Sequence, residues 1–470
     1  MRRFPMLALA MCFAKTLDAE KLNVVFILVD DWGCADAGVT GSDFFETPNI
    51  DRLAREGMRF TQAYAAAAIC SPTRAAIMTG KSPARLDMTI WHEGAVRGGP
   101  KNRRLLEAKA QPNLPREEVT LAELFKQNGY STAHIGKWHL GKAAFYPEAQ
   151  GYDVNVGGTY WGAPATFFWP YRGPWSRGDP ELRYVPMVQG KPGDYLTDKL
   201  TDHALQFIDR QREQPFFLGL WFHTVHTPIE GKPKLVEYFK KKKPGKYHKH
   251  PGYAAMVASL DENVGRVLRK LDELDLAGNT AVILTSDNGG VDFSSTKSGN
   301  QPPTRNIPFR SGKGTLYEGG LRVPLVIRWP GRTKAGTVCK EPVTSQDYYP
   351  TIAGALGQSD VPWHDGESLL PLLRDSRAKL GREALYWHYP HYYPRMTPGS
   401  AVRKGDWKLI HYYEEDREEL FNLRDDPGET KNLAVAHPAR AKVLRGRLDD
   451  WRQSVDAKAP TPNPAWRSRK

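Results

Sequence analysis

Apolar runs and amphipathic stretches alternate along the first three quarters of the chain. Residues 21–33 (KLNVVFILVDDWG) form a continuous apolar run that ends in two aspartates, a pattern typical of a strand buried on both faces of a parallel sheet. Residues 47–60 have helical spacing, from Thr47 to a stop at Gly57. The same patterns recur as helices within 119–129, 195–211 and 253–276 and as strands within 130–141, 215–228, 279–290 and 322–331. This alternation predicts an α/β fold with a large, doubly wound, mostly parallel sheet flanked by helices.

The last quarter of the chain changes pattern. Short strand-like segments span 382–389, 400–413 and 418–423, and a helix is predicted over roughly 435–455. We therefore expect a smaller antiparallel sheet with a helix in this part, followed by a flexible tail over 457–470.

The N-terminus has the composition of a signal peptide. Arg2 and Arg3 precede a short apolar stretch, and Leu17-Asp18-Ala19 offers a cleavage site. We expect residues 1–19 to direct export to the periplasm or the medium, the alternative being a buried N-terminal helix. No apolar segment of the sequence is long enough to span a bilayer.

Charge narrows the choice of partner. The net charge is +13, and removal of residues 1–19 lowers it to +11, because Arg2, Arg3, Lys15 and Asp18 leave together. A basic protein favours polyanions such as nucleic acid or a sulfated glycan. The lysine-rich run over 239–250 is interpreted as a solvated loop, with a substrate-docking strip as the alternative.

The cysteine count is odd once the signal peptide is removed. Cys34, Cys70 and Cys339 remain, with neither a disulfide framework nor a CxxC metal site, so one thiol is left over or chemically used. Cys70 stands out because it lies between an apolar run and a predicted helix, with Arg74 four residues later.

Polar side chains cluster where the predicted strands end. They are Asp30, Asp31, Lys137, His139, His223, His226, Asp287 and Asn288. In open α/β sheets, ligands bind outside the carboxyl ends of the strands. We therefore expect these side chains to converge on one edge of the sheet.

The chemistry of this cluster suits a hard cation and an oxyanion. Its oxygen ligands are Asp30, Asp31, Asp287 and Asn288. Three close carboxylates would repel one another unless a cation neutralised them, and ligation by oxygen alone favours Ca²⁺ or Mg²⁺ over zinc. The neighbouring fixed cations are Arg74, Lys137 and Lys313. With a helix N-terminus at position 70, such a site suits sulfate or phosphate.

An ordered series of motifs carries a family resemblance. Residues 70–74 (CSPTR) fit the pattern C-x-P-x-R. The other motifs are VDDWG (29–33), GKWHLG (136–141), HTP (226–228), SDNGG (286–290) and GKGTLYEGG (312–320). In these motifs, over about residues 22–331, the sequence resembles type I sulfatases of the alkaline phosphatase superfamily, especially bacterial relatives of arylsulfatase A and N-acetylgalactosamine-sulfate sulfatases. Single short patterns occur by chance, but the ordered series is specific.

The resemblance implies that Cys70 is oxidised to formylglycine by a formylglycine-generating enzyme. The hydrated aldehyde would attack sulfur, and collapse of the resulting sulfate ester would release sulfate, which divides one difficult step into two. The resemblance also implies one Ca²⁺ ion. Its ligands would be Asp30, Asp31, Asp287, Asn288 and the modified Cys70.

The resemblance also assigns roles to the remaining site residues. Asp287 would take the proton of the attacking hydroxyl, and Arg74 and Lys137 would hold the formylglycine oxygens. His139 would remove a proton during sulfate release. The pair expected to bind sulfate and protonate the leaving oxygen is His226 and Lys313. His223 is interpreted as structural, because alternation along a strand would point it away from the site.

The family pattern implies a domain plan and a class of substrate. A catalytic domain is expected over 20–375 and an α+β subdomain over 376–456. Aromatic and basic residues in 159–175 and 387–395 suit a sugar, so a sulfated carbohydrate with galactose or N-acetylgalactosamine units is the expected partner, and nucleic acid is not. The motifs do not specify the sulfate position, exo or endo action, or the oligomeric state. The alternatives are a phosphodiesterase or phosphonate hydrolase of the superfamily and a non-catalytic glycan binder.

Overall fold

The computed structural model describes residues 21–177 and 179–467, so the predicted signal peptide lies outside the described residues. Its helices are α1 Pro48–Glu56, α2 Cys70–Thr79, α3 His92–Arg97, α4 Leu121–Gln127, α5 Leu196–Arg210, α6 Pro233–Lys241, α7 Pro251–Glu273, α8 Glu318–Leu321, α9 Tyr348–Ala355, α10 Leu370–Arg374 and α11 Pro438–Ser454. Within these ranges, no helix combines the length and apolarity that crossing a membrane requires.

The strands form one large sheet, one small sheet and three short pairs. They are β1 Asn23–Val29, β2 Met58–Phe60, β3 Ala63–Tyr64, β4 Leu105–Leu106, β5 Ser131–Gly136, β6 Val154–Val156, β7 Gly173–Pro174, β8 Leu182–Arg183, β9 Phe216–Trp221, β10 Thr280–Ser286, β11 Leu325–Arg328, β12 Thr337–Cys339, β13 Val343–Thr344, β14 Leu385–Tyr389, β15 Gly399–Lys404, β16 Trp407–Tyr412, β17 Arg417–Asn422 and β18 Thr461–Pro462.

The large sheet has eight strands in the order β12-β2-β11-β10-β1-β9-β5-β6. All neighbouring pairs are parallel except those that β11 makes with β10 and β2. The predicted α/β class and the mostly parallel sheet are therefore confirmed.

The central strand β1 packs against helices on both faces of the sheet. Val25, Ile27 and Val29 lie in the core that includes residues of α5 and α7. Val24, Phe26 and Leu28 lie in the opposite core, with residues of α2, α4 and α9. Alternation of side chains along the strand therefore divides one apolar run between two cores, which explains why residues 24–29 include no polar side chain.

The C-terminal part forms the expected small sheet, with strands in the antiparallel order β14-β15-β16-β17. Helix α11 packs on β15 and β16 through Leu444 and Leu448. The prediction of one strand over 400–413 was wrong, because Gly405 adopts φ +60° and turns this segment into a β15–β16 hairpin. A left-handed backbone is readily accessible to glycine.

Two further expectations are corrected. The lysine-rich run is not simply a solvated loop: its first residues belong to α6, Phe239 is buried, and His250 caps α7. The tail is not loose over its described part, because Thr461 pairs with Leu106 and the side-chain amide of Asn463 donates to the carbonyls of residues 101 and 103.

Candidate active site

The candidate site lies where four adjacent parallel strands end. Asp30 follows β1, Lys137 follows β5, His226 lies beyond β9, and Asp287 follows β10. Because β5, β9, β1 and β10 are neighbours in the sheet, their carboxyl ends open on one edge. The predicted convergence of these side chains is therefore observed.

Three buried ion pairs form the floor of the site. Lys137 Nζ lies 2.7 Å from Asp30 Oδ2, and Arg74 Nη2 lies 2.8 Å from Asp287 Oδ2. These four side chains have no solvent exposure. Lys313 Nζ completes the set at 2.7 Å from Asp31 Oδ1. The three carboxylates are thus balanced by three cations, so the repulsion expected from the sequence does not by itself require a metal.

Cys70 lies in the middle of these charges, as the first residue of α2. Its Sγ and one carboxylate oxygen each of Asp30 and Asp287 all lie within 4.8 Å of one another. Burial raises the pKa of the Cys70 thiol to about 11. At neutral pH the unmodified side chain is therefore protonated, and only the thiolate is a good nucleophile.

The donor set fits a hard cation. Burial raises the pKa of the Asp30 carboxyl well above its ordinary value, Lys137 opposes this shift, and the charges of Asp287 and Asp31 add to it. The Asn288 amide nitrogen donates to Asp31 at 2.7 Å, while its Oδ1 is buried and has no hydrogen-bond partner among the described residues. An unpaired buried acceptor is costly, and coordination of Ca²⁺ or Mg²⁺ would satisfy it.

His226 and Lys313 both face Asp31. His226 Nε2 lies 3.4 Å from Asp31 Oδ2, and its Nδ1 lies 2.7 Å from the Thr227 carbonyl. Because a carbonyl can only accept, Nδ1 carries the proton of the neutral ring. Burial, followed by the charge of Lys313, lowers the pKa of His226 to about 3.

Glu93 was not predicted from the sequence, but it fixes the orientation of His139. Its Oε2 lies 2.7 Å from His139 Nε2, and its Oε1 accepts from the Gly162 amide at 3.1 Å. His139 Nδ1 is buried without a partner in the part of the chain that the structure describes. The left-handed backbone of His139 (φ 61°) and of Asp31 (φ 60°) fits the tendency of strained residues to cluster at functional sites.

The argument that placed His223 away from the site does not hold. Strand β9 ends at Trp221, so alternation along a strand does not apply to residue 223. Burial and then the charges of Lys137 and Arg74 lower the pKa of His223 well below its ordinary value. His223 therefore lies close to the cations of the site.

Glycines bring two motifs of the site together. A Cβ atom on Gly289, in SDNGG, would overlap the carbonyl oxygen of Gly319, in GKGTLYEGG. The Gly289 amide donates to the Gly320 carbonyl at 3.0 Å. This close backbone approach holds the loop that carries Asn288 next to the loop that carries Lys313.

A cavity of about 150 Å³ opens above Cys70. Its reactive lining is Cys70, His139, His226 and Lys313. The rest of its wall includes Trp91, Glu93, Trp175, Arg183 and Tyr393. Aromatic rings with a few charged groups form a surface suited to a polar ring such as a sugar.

Comparison with known families agrees with this geometry. The Sulfatase family model matches residues 22–358, which include every predicted site residue. The C-terminal model of N-sulphoglucosamine sulphohydrolase matches residues 311–453, which include the small sheet.

Known sulfatases are similar to nearly the whole chain. A sulfatase from Formosa agariphila is 33% identical, with 94% of this chain and 90% of that protein covered. Human N-acetylgalactosamine-6-sulfatase is 32% identical, with 93% of this chain and 86% of that protein covered. Mouse steryl-sulfatase is also 32% identical, with 90% of this chain and 80% of that protein covered. The names of these relatives refer to different substrates, so substrate choice must depend on residues outside the shared motifs.

Solved structures give the same result. The crystal structure of Ps i-CgsB in complex with k-i-k-neocarrahexaose superposes with a TM-score of 0.76 at 27% identity and covers 95% of both chains. The phosphonate monoester hydrolase of Agrobacterium radiobacter, at 19% identity and a TM-score of 0.67 over 93% of this chain and 96% of that chain, shares the fold.

Proposed function

This chain belongs to the sulfatase family and hydrolyses sulfate esters, and we propose that it acts on sulfated carbohydrates with the modified side chain of Cys70 as nucleophile. The supporting observation is the position of Cys70, which lines the same cavity as Lys313 and His226 and lies beside Asp30 and Asp287. Three cations (Arg74, Lys137 and Lys313), the imidazoles of His139 and His226, and a helix N-terminus lie near position 70, where a tetrahedral oxyanion would bind.

We propose that a formylglycine-generating enzyme converts Cys70 to formylglycine. The buried thiol, with its pKa of about 11, is a poor nucleophile at neutral pH, whereas a hydrated aldehyde supplies a hydroxyl for attack and a second one for release. Export by way of residues 1–19 is part of the same proposal and rests on the sequence alone.

The side chains around position 70 have separable roles in this proposal. Arg74 and Lys137 are tied to Asp287 and Asp30, which holds their positive charges beside the nucleophile. Asp287 is the proposed proton acceptor for the attacking group. His139 presents the free Nδ1, so it can take a proton during release.

On the opposite side of the cavity, Lys313 is the better proton donor to the leaving oxygen. Burial acts against the charged form, but the carboxylate of Asp31 holds the pKa of Lys313 well above its ordinary value. His226 is neutral, with its only proton at Nδ1 directed to Thr227. We therefore assign proton donation and sulfate binding to Lys313, and His226 would bind sulfate only with a proton on Nε2, as the other tautomer or as the imidazolium.

The metal in this proposal is one Ca²⁺ ion. The residues that would hold it are Asp30, Asp31, Asp287 and Asn288, together with the group at position 70. When bound, such an ion polarises the nucleophile and the sulfate.

The proposed substrate is a sulfated galactose or N-acetylgalactosamine unit. The support is the wall of Trp91, Trp175 and Tyr393, because aromatic faces pack on sugar rings. Similarity to N-acetylgalactosamine-6-sulfatase and to a protein solved with a neocarrahexaose points the same way.

The test is turnover of sulfate esters by protein coexpressed with a formylglycine-generating enzyme and supplied with Ca²⁺. 4-Nitrophenyl sulfate and sulfated galactose and N-acetylgalactosamine are the substrates, and the matching phosphonate and phosphodiester are the competitors. We expect sulfate release by the wild type, none by Cys70→Ala, and near wild-type release by the control Cys34→Ala. Activity in Cys70→Ala, or a preference for the phosphorus esters, would contradict the proposal.

A further inference from the structure

Arg183 is held in the cavity wall by aromatic stacking. Its guanidinium carbon lies 4.1 Å from the ring centre of Trp175 and 5.0 Å from that of Trp161. Arginine stacks well on aromatic faces, and the stacking fixes the plane of the guanidinium group. Because Arg183 and Cys70 line the same small cavity, a group bound at Arg183 would belong to the molecule whose sulfate lies at Cys70.

The polar contacts of this guanidinium are weak. Nη1 lies 3.3 Å from the Ala163 carbonyl and Nη2 lies 3.5 Å from Glu93 Oε1. Nε is buried and has no hydrogen-bond partner among the described residues. Glu93 is also the acceptor for His139 and Gly162. Arg183 therefore keeps donors free for a ligand, and a buried unsatisfied donor is costly unless something binds it.

A second cation lies on the same tryptophan. Lys297 Nζ is 4.3 Å from the ring centre of Trp175 and donates to the Trp175 carbonyl. Burial, and after it the positive charge of Arg183, lower the pKa of Lys297, so the two cations are close enough to repel each other. A bound anion would relieve this repulsion.

From these contacts we propose that Arg183, which lies on the rings of Trp161 and Trp175, binds a second negatively charged group of the substrate with the help of Lys297. This group is a sulfate or a carboxylate on the sugar that carries the scissile sulfate or on its neighbour. The inference rests on the proposed function and narrows it to multiply charged glycans. A planar guanidinium matches either oxyanion with two parallel hydrogen bonds.

Binding, rather than turnover, separates this inference from the proposed function. Calorimetry is done on full-length Cys70→Ala protein with Ca²⁺, which cannot hydrolyse its ligands. The probes are N-acetylgalactosamine 6-sulfate, its 4,6-disulfate, and the disaccharide of glucuronate and N-acetylgalactosamine 6-sulfate. We expect the disulfate or the uronate disaccharide to bind about tenfold or more tightly than the monosulfate, since a charged hydrogen-bonded pair contributes that much. Which of the two binds tightly identifies the anion.

The variants decide whether Arg183 is responsible. In the Cys70→Ala background, Arg183→Met keeps an apolar side chain that packs on the rings, and it should bring the affinity ratio of the doubly charged ligand to the monosulfate close to one. Lys297→Met should reduce this ratio by a smaller factor. Arg172→Met, which removes an equal charge from an exposed position nearby, should leave the ratio unchanged. A ratio near one without the Arg183 substitution, or an unchanged ratio in Arg183→Met, overturns the inference. Failure of the wild type to hydrolyse any sulfate ester would instead overturn the proposed function.

Discussion

Glu93 Oε2 lies 2.7 Å from His139 Nε2 across a sequence separation of 46 residues. Burial acts against its charge, but His139 and Arg183 hold the pKa of Glu93 well below its ordinary value, so the carboxylate is ionised and can only accept. The proton of the neutral ring is therefore on Nε2, and Nδ1 has a free lone pair. Glu93 is a positioning residue that prepares His139 to act as a base.

Replacing Glu93 tests this relationship. Glu93→Ala should lower kcat by about 10- to 100-fold, by analogy with the cost of losing the carboxylate partner of a histidine in metal sites. KM should change less, and Glu93→Gln, which keeps an acceptor, should recover part of the loss. The matched control is Glu107→Gln, because Glu107 also pairs with a buried histidine (Oε2 to His391 Nδ1, 2.9 Å) outside the reactive lining. Equal losses of kcat in the two Gln variants would refute the assignment.

The sequence predicted the framework of the site well because chain order and sheet order are linked. Parallel strands separated by helices put every strand end on one edge, so Asp30, Lys137 and Asp287 could be grouped before their distances were known. Cys70 could be placed at a helix N-terminus because an apolar run precedes it and a stretch with helical character follows it, and the structure has this helix over Cys70–Thr79.

The contacts that were missed depend on tertiary packing. Glu93 lies in the short helix α3, where an acidic residue in the first turn is ordinary, and its pairing with His139 has no local pattern. The argument from strand alternation at His223 failed because the end of β9 was placed too late, and its interpretation as structural stays a prediction. A pair of histidines three residues apart, just after a buried strand, is the signal that could have kept both at the site.

Removing Lys137 should affect both stability and catalysis. Its partner Asp30 is fully buried, so Lys137→Ala leaves this carboxylate with only the longer 3.9 Å contact to Arg74. Loss of a buried ion-pair partner costs roughly 3–5 kcal/mol, and kcat should fall by several orders of magnitude. Urea unfolding and steady-state kinetics measure the two effects. Lys126→Ala breaks an exposed pair with Asp153 and should cost less than about 1 kcal/mol. A similarly small cost at Lys137 would contradict the account of the buried floor.

Asn288 offers a test of the metal site. Its unpaired Oδ1 is expected to become a ligand of Ca²⁺, so Asn288→Ala should weaken Ca²⁺ binding in calorimetry by about tenfold or more. Chelation should lower the Tm of the wild type and change that of the variant less, because an ion that binds the folded state stabilises it. Identical Ca²⁺ affinities in the two proteins would exclude Asn288 from the ligand set.

His134 should make the protein sensitive to acid. It is enclosed by Trp138, Tyr152 and Trp221, with ring centres 5.1–5.3 Å away, and burial lowers its pKa to about 3. At pH values between about 3 and the ordinary histidine pKa of about 6.5, the unfolded chain binds a proton at His134 that the folded chain does not. The free energy of unfolding therefore falls as the pH falls, by at most about 1.4 kcal/mol per pH unit.

His134→Phe removes this titration and keeps the aromatic packing. The free energy of unfolding of the variant, measured by denaturant titration from pH 8 to pH 4, should fall less steeply below about pH 6.5 than that of the wild type. At pH 8 both rings are uncharged, so the difference measured there isolates the packing effect. Parallel curves throughout would show that His134 is not buried as a neutral ring.

The central claim is that Cys70 becomes the nucleophile by modification. The most direct measurement is mass spectrometry of the tryptic peptide that contains Cys70, from protein made with and without a formylglycine-generating enzyme. Conversion of the thiol to an aldehyde lowers the mass by about 18 Da, and we predict this loss only in the coexpressed sample, in proportion to its sulfatase activity. An intact cysteine in a protein that nevertheless hydrolyses sulfate esters would contradict the account.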